Sequence, residues 1–367
     1  MPALSAAAAT ATPGAAPAGG GSPVPFFYGS NRYVEKTATQ SFQLTTTAQE
    51  YSFNINPGGF LEGVRLQVRS SGAAGGTVTA DNPPNVFASA TLENIDGAPI
   101  IYPMPGFSHF VGNLFSRPWM GDPRNRFDWA ASINPSFTLP MFPMIRHTAG
   151  VLANTDARAQ YRIRFTLNTA ANVITSGTTA PTVVVTVLQL SWAQPDANDL
   201  RDNPIEPLPP GLNLATLRRR QILTLNAAAA DNQFQLSNTG NEIRMLLAIV
   251  RDSNGARQDY FTDPIRWRTD NRSMGVFSPD EVFNRLADFY DWLGNGTSTR
   301  PTGVYVWPRF YQPGSMKGES WYATTNSSYV LFETATLSTG TNLPGTVEWV
   351  TDESVPVGPV PMELESI

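Results

Sequence analysis

One stretch near the start of the chain recurs, in spacing and polarity, beyond its midpoint, and such a repeat restricts the fold to two copies of one architecture. Phe42-Gln43-Leu44-Thr45 resembles Leu223-Thr224-Leu225-Asn226, an offset of 181 residues (42 to 223). The same offset carries Phe53 to Phe234 and Ile55 to Leu236. After one inserted residue, Val64, Leu66, Val68 and Arg69 match Leu246, Ala248, Val250 and Arg251 (64 to 246). In each copy, alternating apolar segments flank a polar stretch, and the last ends in Arg before a small polar loop. The repeating unit is therefore built of strands.

Period-2 patterns continue elsewhere. Gln160 to Asn168 places Tyr161, Ile163, Phe165 and Leu167 on one face. Thr182 to Trp192 is Val/Leu-rich on both faces and reads as a central strand. Tyr329 to Leu337 and Gly345 to Thr351 close the second half in the same style, and Asp96-Gly97 and Asn254-Gly255 are hairpin signals. One helix stands out. Ser278-Pro279-Asp280-Glu281 is a capping box with proline at the first helical position. Val282, Phe283, Leu286, Phe289, Tyr290 and Leu293 follow at helical spacing, and Gly294 ends the run. Its first-half counterpart, Gly106 to Phe115, is shorter and interrupted by glycine, which predicts only weak helicity.

These patterns give an all-β chain of two tandem β-sandwiches, with a short helix in a long loop of the second. The expected divisions are a flexible arm at 1–39, sandwiches at 40–193 and 215–352, a Pro-rich linker at 194–214, and an extended tail at 353–367. Met1 to Ser22 is rich in Ala, Gly, Pro and Thr, and reads as a disordered arm rather than a secretory signal. Gln194 to Leu212 carries the linker prolines, which favour a stiff extended path. No run of about 18 apolar residues, the length of a membrane-spanning helix, occurs.

Chemistry is sparse. The chain has no cysteine, so neither disulfides nor zinc–thiolate sites are available. His109 and His147 are the only histidines, and neither has a second histidine at metal-ligand spacing; both read as structural or surface residues. The templates for a nucleophile elbow and for phosphate-binding glycine loops are absent. Asp196, Asn198, Asp199 and Asp202 lack the glycine and closing glutamate of a calcium loop. Asp128, Asp263, Asp270 and Glu281 lie near aromatics, as glycosidase carboxylates would, but Glu281 already has a capping role. Hence no catalytic, cofactor or metal residue is assigned. With a net charge of −5 and only Lys36 and Lys317 as lysines, the chain lacks the basic face of a duplex-binding protein. Its one basic run, Arg218-Arg219-Arg220, reads as a solvated strand entry. Phe26-Phe27-Tyr28, Trp119 with Phe127 and Trp129, and the run Tyr305 to Tyr311 could stack sugars. Aromatics in such settings more often anchor loops to a core or a neighbouring subunit.

In architecture, the repeat segments at Phe42/Leu223 and Val64/Leu246, the linker with Pro204, Pro207, Pro209 and Pro210, and the helix Pro279 to Leu293 resemble the double jelly-roll major capsid proteins of tailless, tectivirus-like double-stranded DNA phages. The resemblance implies two eight-stranded jelly rolls. It also implies a non-enzymatic homotrimer of pseudo-hexameric outline that tiles an icosahedral virion shell and is assembled in the host cytoplasm. Its implied partners are other copies of itself, with minor capsid, vertex and internal membrane proteins. No sequence-specific nucleic-acid binding is implied. The rival reading is a two-domain carbohydrate-binding or glycan-degrading sandwich, such as a virion receptor-binding component.

Overall fold

The computed structural model describes residues 22–116, 133–134, 136–145, 150–175, 179–198, 203–212, 216–226, 231–237, 240–270, 272–290, 301–308, 321–324, 327–335 and 342–354. After a short helix α1 (Phe26–Gly29), the first half runs β1 (Arg32–Gln43), β2 (Gln49–Asn54), β3 (Phe60–Ser71), β4 (Phe87–Glu93) and β5 (Pro99–Met104). Helix α2 (Gly106–Ser116) follows, then β6 (Ser136–Met141), the short β7 (Leu152–Ala153), β8 (Arg162–Leu167), α3 (Ala170–Val173) and β9 (Thr182–Trp192). The second half runs β10 (Thr216–Leu225), β11 (Asn232–Leu236), β12 (Glu242–Arg251), β13 (Ile265–Thr269) and β14 (Arg272–Phe277). Then come α4 (Pro279–Tyr290), β15 (Val304–Pro308), the short β16 (Tyr322–Ala323), β17 (Val330–Thr334) and β18 (Gly345–Ser354).

Each half is a jelly roll with the same strand order. In the first, β1-β9-β3-β6 form one sheet and β5-β4-β8-β2 the other. In the second, the corresponding sheets are β10-β18-β12-β15 and β11-β17-β13-β14. The repeat segments fall on matching strands: β1 with β10, β2 with β11, β3 with β12. The ladders refine the match. Phe42 and Ser70 both lie opposite Val183, whereas Leu223 and Val250 both lie opposite Val347. In this frame Val250 corresponds to Ser70 rather than Val68, a two-residue slide that leaves every side chain on its face.

The halves are not two beads on a string. Strand β10 bridges β5 in parallel, Arg218 opposite Ile101, so the second sheet of the first roll and the first sheet of the second roll are continuous. The β12 strand is consequently buried on both faces. Met245, Leu247 and Ile249 join the first roll's core, while Ile243, Leu246, Ala248 and Val250 join the second's. Its apolar run, without clean alternation, is what burial on both faces demands.

Several expected strands stand where the patterns place them. The central Val/Leu-rich strand is β9, paired on both sides, to β1 and β3. Tyr161, Ile163, Phe165 and Leu167 all point inward along β8. Asp96-Gly97 turns β4 into β5 with Gly97 at φ 83°, whereas Asn254-Gly255 closes a turn beyond β12 that carries only a single bridge, Arg251 to Arg257.

Other expectations change. Strand β1 begins at Arg32, inside the expected arm, and Phe26 of α1 is fully buried against Phe60 and Trp192. The polar run Glu35 to Gln40 hides that strand, because its outward face is solvated. Strand β18 likewise continues through Ser354, into the expected tail. The Pro-rich linker doubles back where Ile205 N–H donates to Ala197 O (3.0 Å), and buried Ile205 also bridges Val24. The largest correction is α2. The Gly-interrupted segment is an 11-residue helix, buried along nearly its whole length. Its glycines are close-approach sites: a Cβ on Gly106 would stand 1.9 Å from Pro84 O, and one on Gly112 3.1 Å from Arg218 Cζ. For α4, Ser278 Oγ accepts the Glu281 N–H (3.1 Å), Val282 is buried and Phe283 packs on Tyr305. Leu293 and Gly294 lie outside the described residues.

Candidate functional site

Among the described residues the sequence-flagged chemistry does not converge. Among the described residues no cluster of acidic or histidine side chains could hold a metal ion. Asp196 and Asn198 are exposed. Asp199, Asp202, Asp128 and His147 lie outside the described residues, as do Trp119, Phe127, Trp129 and Phe310-Tyr311. Asp270 stabilises a turn, its Oδ1 accepting N–H groups of Ser328 (2.8 Å) and Tyr329 (3.3 Å). Glu281 pairs with Arg285 one helical turn on (3.0 Å). Tyr305 and Trp307 are core residues, packed with Phe261, Phe332 and Trp349, and offer no sugar platform.

What does converge is the junction between the rolls. Arg218 on β10 is buried, contrary to the expected solvated strand entry. Its Nε and Nη2 bind the Asp352 carboxylate side-on at 2.6 and 2.9 Å. Nη1 donates to Asn113 Oδ1 (2.7 Å) and to His109 O (3.4 Å), and Nη2 also donates to Ser116 Oγ (3.1 Å). The five N–H donors of a guanidinium therefore meet acceptors from β18 and α2. The acceptors are themselves fixed: Asn113 Nδ2 donates to Pro140 O (2.7 Å), and Ser116 Oγ donates to Gly112 O (2.6 Å). The rest of the basic run is paired too, Arg219 with Glu353 (3.5 Å) and Arg220 with Glu348 (2.7 Å).

His109 sits on the same helix, fully buried, with Nε2–H donating to Ala90 O (2.8 Å). Burial, and then the Arg218 charge, push its pKa down to about 3. It is a neutral structural histidine near pH 7, unsuited to proton transfer there.

The other end of the junction is ionic. Asp81 of the first roll binds Arg251 (2.6 Å) and Arg257 (2.7 Å) of the second, and both guanidinium groups lie over the Phe107 ring of α2. Together with Arg220 and Glu348, these residues line a groove of about 570 Å³ between the rolls. The arrangement is suited to mechanical union. Its carboxylates are each engaged by arginines, Asp81 by two of them, and among the described residues no nucleophile, poised base or open ligand set accompanies them. Sequence reasoning singled out the arginine run but missed its role, because Asp352 and Asn113 lie more than a hundred residues away on either side of it.

No family model matches the chain, and no curated protein matches it in sequence. Solved structures do. The major capsid protein of Sulfolobus turreted icosahedral virus is 14% identical with a TM-score of 0.58, covering 92% of this chain and 100% of that one. The major capsid protein of bacteriophage PM2 is 10% identical with a TM-score of 0.54, covering 89% and 98%. The PBCV-1 virus capsid is 12% identical with a TM-score of 0.55, covering 89% and 94%. At these identities the shared property is the fold, a double jelly roll.

Two outcomes follow from the junction. Arg218→Ala removes the side-on partner of the buried Asp352 carboxylate and should destabilise the chain by about 3–5 kcal/mol in urea unfolding. For His109 the sign is set by a native pKa below the unfolded value. The unfolded chain binds the extra proton, so His109 contributes nothing adverse above about pH 6.5. Stability then falls as pH drops towards 3, by up to about 1.4 kcal/mol per unit. His109→Gln should flatten that part of the stability–pH curve.

Proposed function

We propose that this chain is a major capsid protein, located in the virion shell, whose homotrimers of pseudo-hexameric outline tile an icosahedral surface. The observation that carries the reading is the pair of jelly rolls with identical strand order, locked by α2 and Arg218 into one unit. Two comparable sides per chain, repeated around a threefold axis, make six. The neighbours of this fold named above are the major capsid proteins of Sulfolobus turreted icosahedral virus and bacteriophage PM2 and the capsid of PBCV-1, which favours the same role here.

In this reading the chain does structural work and no catalysis. Its domains are the two rolls, the first with strands from Arg32 to Trp192 and the second from Thr216 to Ser354, joined by the Pro-rich linker, with arm and tail at the ends. Its partners are its own copies first, then minor capsid, vertex and internal membrane proteins. The basic run carries no nucleic-acid role, since all three arginines are engaged by carboxylates of β18. The carbohydrate-binding alternative loses Tyr305 and Trp307 as stacking residues, because both are buried.

Negative-stain electron microscopy of the purified protein tests this. Compact trimers with a six-sided outline are expected. A monomer that retains or hydrolyses polysaccharide would contradict the reading.

A further inference from the structure

Strand β12 carries a bulge where it pairs with β18. Ile243 lies opposite Glu353 and Met245 opposite Asp352, which leaves Arg244 as the extra residue. Such bulges re-aim a side chain. Ile243 enters the core of the second roll and Met245 that of the first, while Arg244 reaches to β10, where its Nη2 donates to Thr216 Oγ1. The Trp321 ring lies over the guanidinium, its centroid 5.6 Å from Cζ. Arg244 is fully buried.

Its burial is poorly compensated. The charges that act on Arg244 are Asp352, which attracts it, and Arg218, which repels it. The Asp352 carboxylate is already held side-on by Arg218. Two buried cations therefore share one buried anion. Burial pushes the Arg244 pKa down to about 10, which leaves the group charged near neutral pH. Hydrogen bonding is equally incomplete. Nε and Nη1, on different edges of the guanidinium, are buried and meet no acceptor among the described residues. Trp321 Nε1 and the Ser354 hydroxyl are buried and unmet in the same way. Ser354 stands directly opposite Thr216 on the β10–β18 ladder, so both hydroxyls lie on one side of the sheet.

The unmet groups are donors, and the local charge is positive. A water molecule answers an unmet donor but leaves the charge; an oxyanion answers both. Enclosure sets its size. A guanidinium with no exposed surface suits a small ion rather than a lipid headgroup or a nucleic-acid strand. The way in is the element that carries Trp321. Strand β16 pairs with β12 through only two residues, Tyr322 with Ile243 and Ala323 with Glu242, and so short an edge opens readily.

We infer that Arg244 is the receptor for a small tetrahedral oxyanion of the phosphate or sulfate class, held between β10, β12 and Trp321. The site lies at the end of the junction away from the Asp81 groove. The bound ion completes the charge balance of Arg218, Arg244 and Asp352, and so belongs to the union of the rolls. The inference does not depend on how the chain assembles.

Inorganic phosphate is the probe, and the full chain is the sample. Chain desalted into chloride and then denatured should release stoichiometric phosphate or sulfate, read by ion chromatography. After unfolding and refolding in chloride, added phosphate should raise the melting temperature. Hydrogen exchange of the 321–324 segment should slow by about tenfold when phosphate is at roughly ten times its Kd. Arg244→Met should remove both responses, and Ser354→Ala, gentler on the fold, should weaken them. A chain that releases no oxyanion and whose melting and exchange ignore phosphate overturns the inference. So does an Arg244→Met chain that responds as the wild type does, since that is a general salt effect. If Arg244→Met does not fold, anion release and exchange in the wild type decide the matter. Phosphorus recovered in an organic extract instead marks a lipid headgroup and overturns the small-ion assignment.

Discussion

The double roll depends on one buried guanidinium. Arg218 is nearly inaccessible, and removing such a charge from water is costly unless its donors are met. Here they are met by a carboxylate from β18, and by a carbonyl, an amide and a hydroxyl from α2. These acceptors belong to both halves of the chain, so the donors are jointly satisfied in one mutual placement of the rolls. Apolar packing of α2 against β12, β15 and β18 supplies adhesion, which is largely non-directional. The ionic node supplies direction.

That arrangement explains features that look unfavourable locally. Gly106 and Gly112 weaken α2 as an isolated helix, yet at Gly106 a methyl group would strike the Pro84 carbonyl, and at Gly112 it would press on the Arg218 guanidinium. Strand β12 lacks alternation because it serves two cores. Asp352 and Glu353 would be unlikely strand residues in isolation; Arg218 and Arg219 account for them.

Much of the architecture was legible in the sequence, and the exceptions have physical reasons. The repeat offset, β9 as a central strand, the inward row of β8 and the capped start of α4 all rest on local periodicity or capping, which single segments carry by themselves. Helix α2, the start of β1 and the roles of Arg218 and Asp352 rest on long-range contact. Glycine in α2 reads as a breaker until the opposing surface is known. The outward residues of β1 are polar, so no apolar alternation marks the strand. An Arg-Arg-Arg run reads as solvated until its carboxylates arrive from a strand over a hundred residues later. The catalytic templates are short local patterns, which is why their absence could be read early.

The central claim is that the two rolls form a single rigid body. The most direct measurement is the distance distribution between spin labels on cysteines introduced at exposed Ile95 in the first roll and exposed Val276 in the second, in this otherwise cysteine-free chain. The account predicts one narrow peak that broadens when Arg218→Ala is added. A broad distribution in the labelled chain with Arg218 intact would contradict it, because the rolls would then move independently.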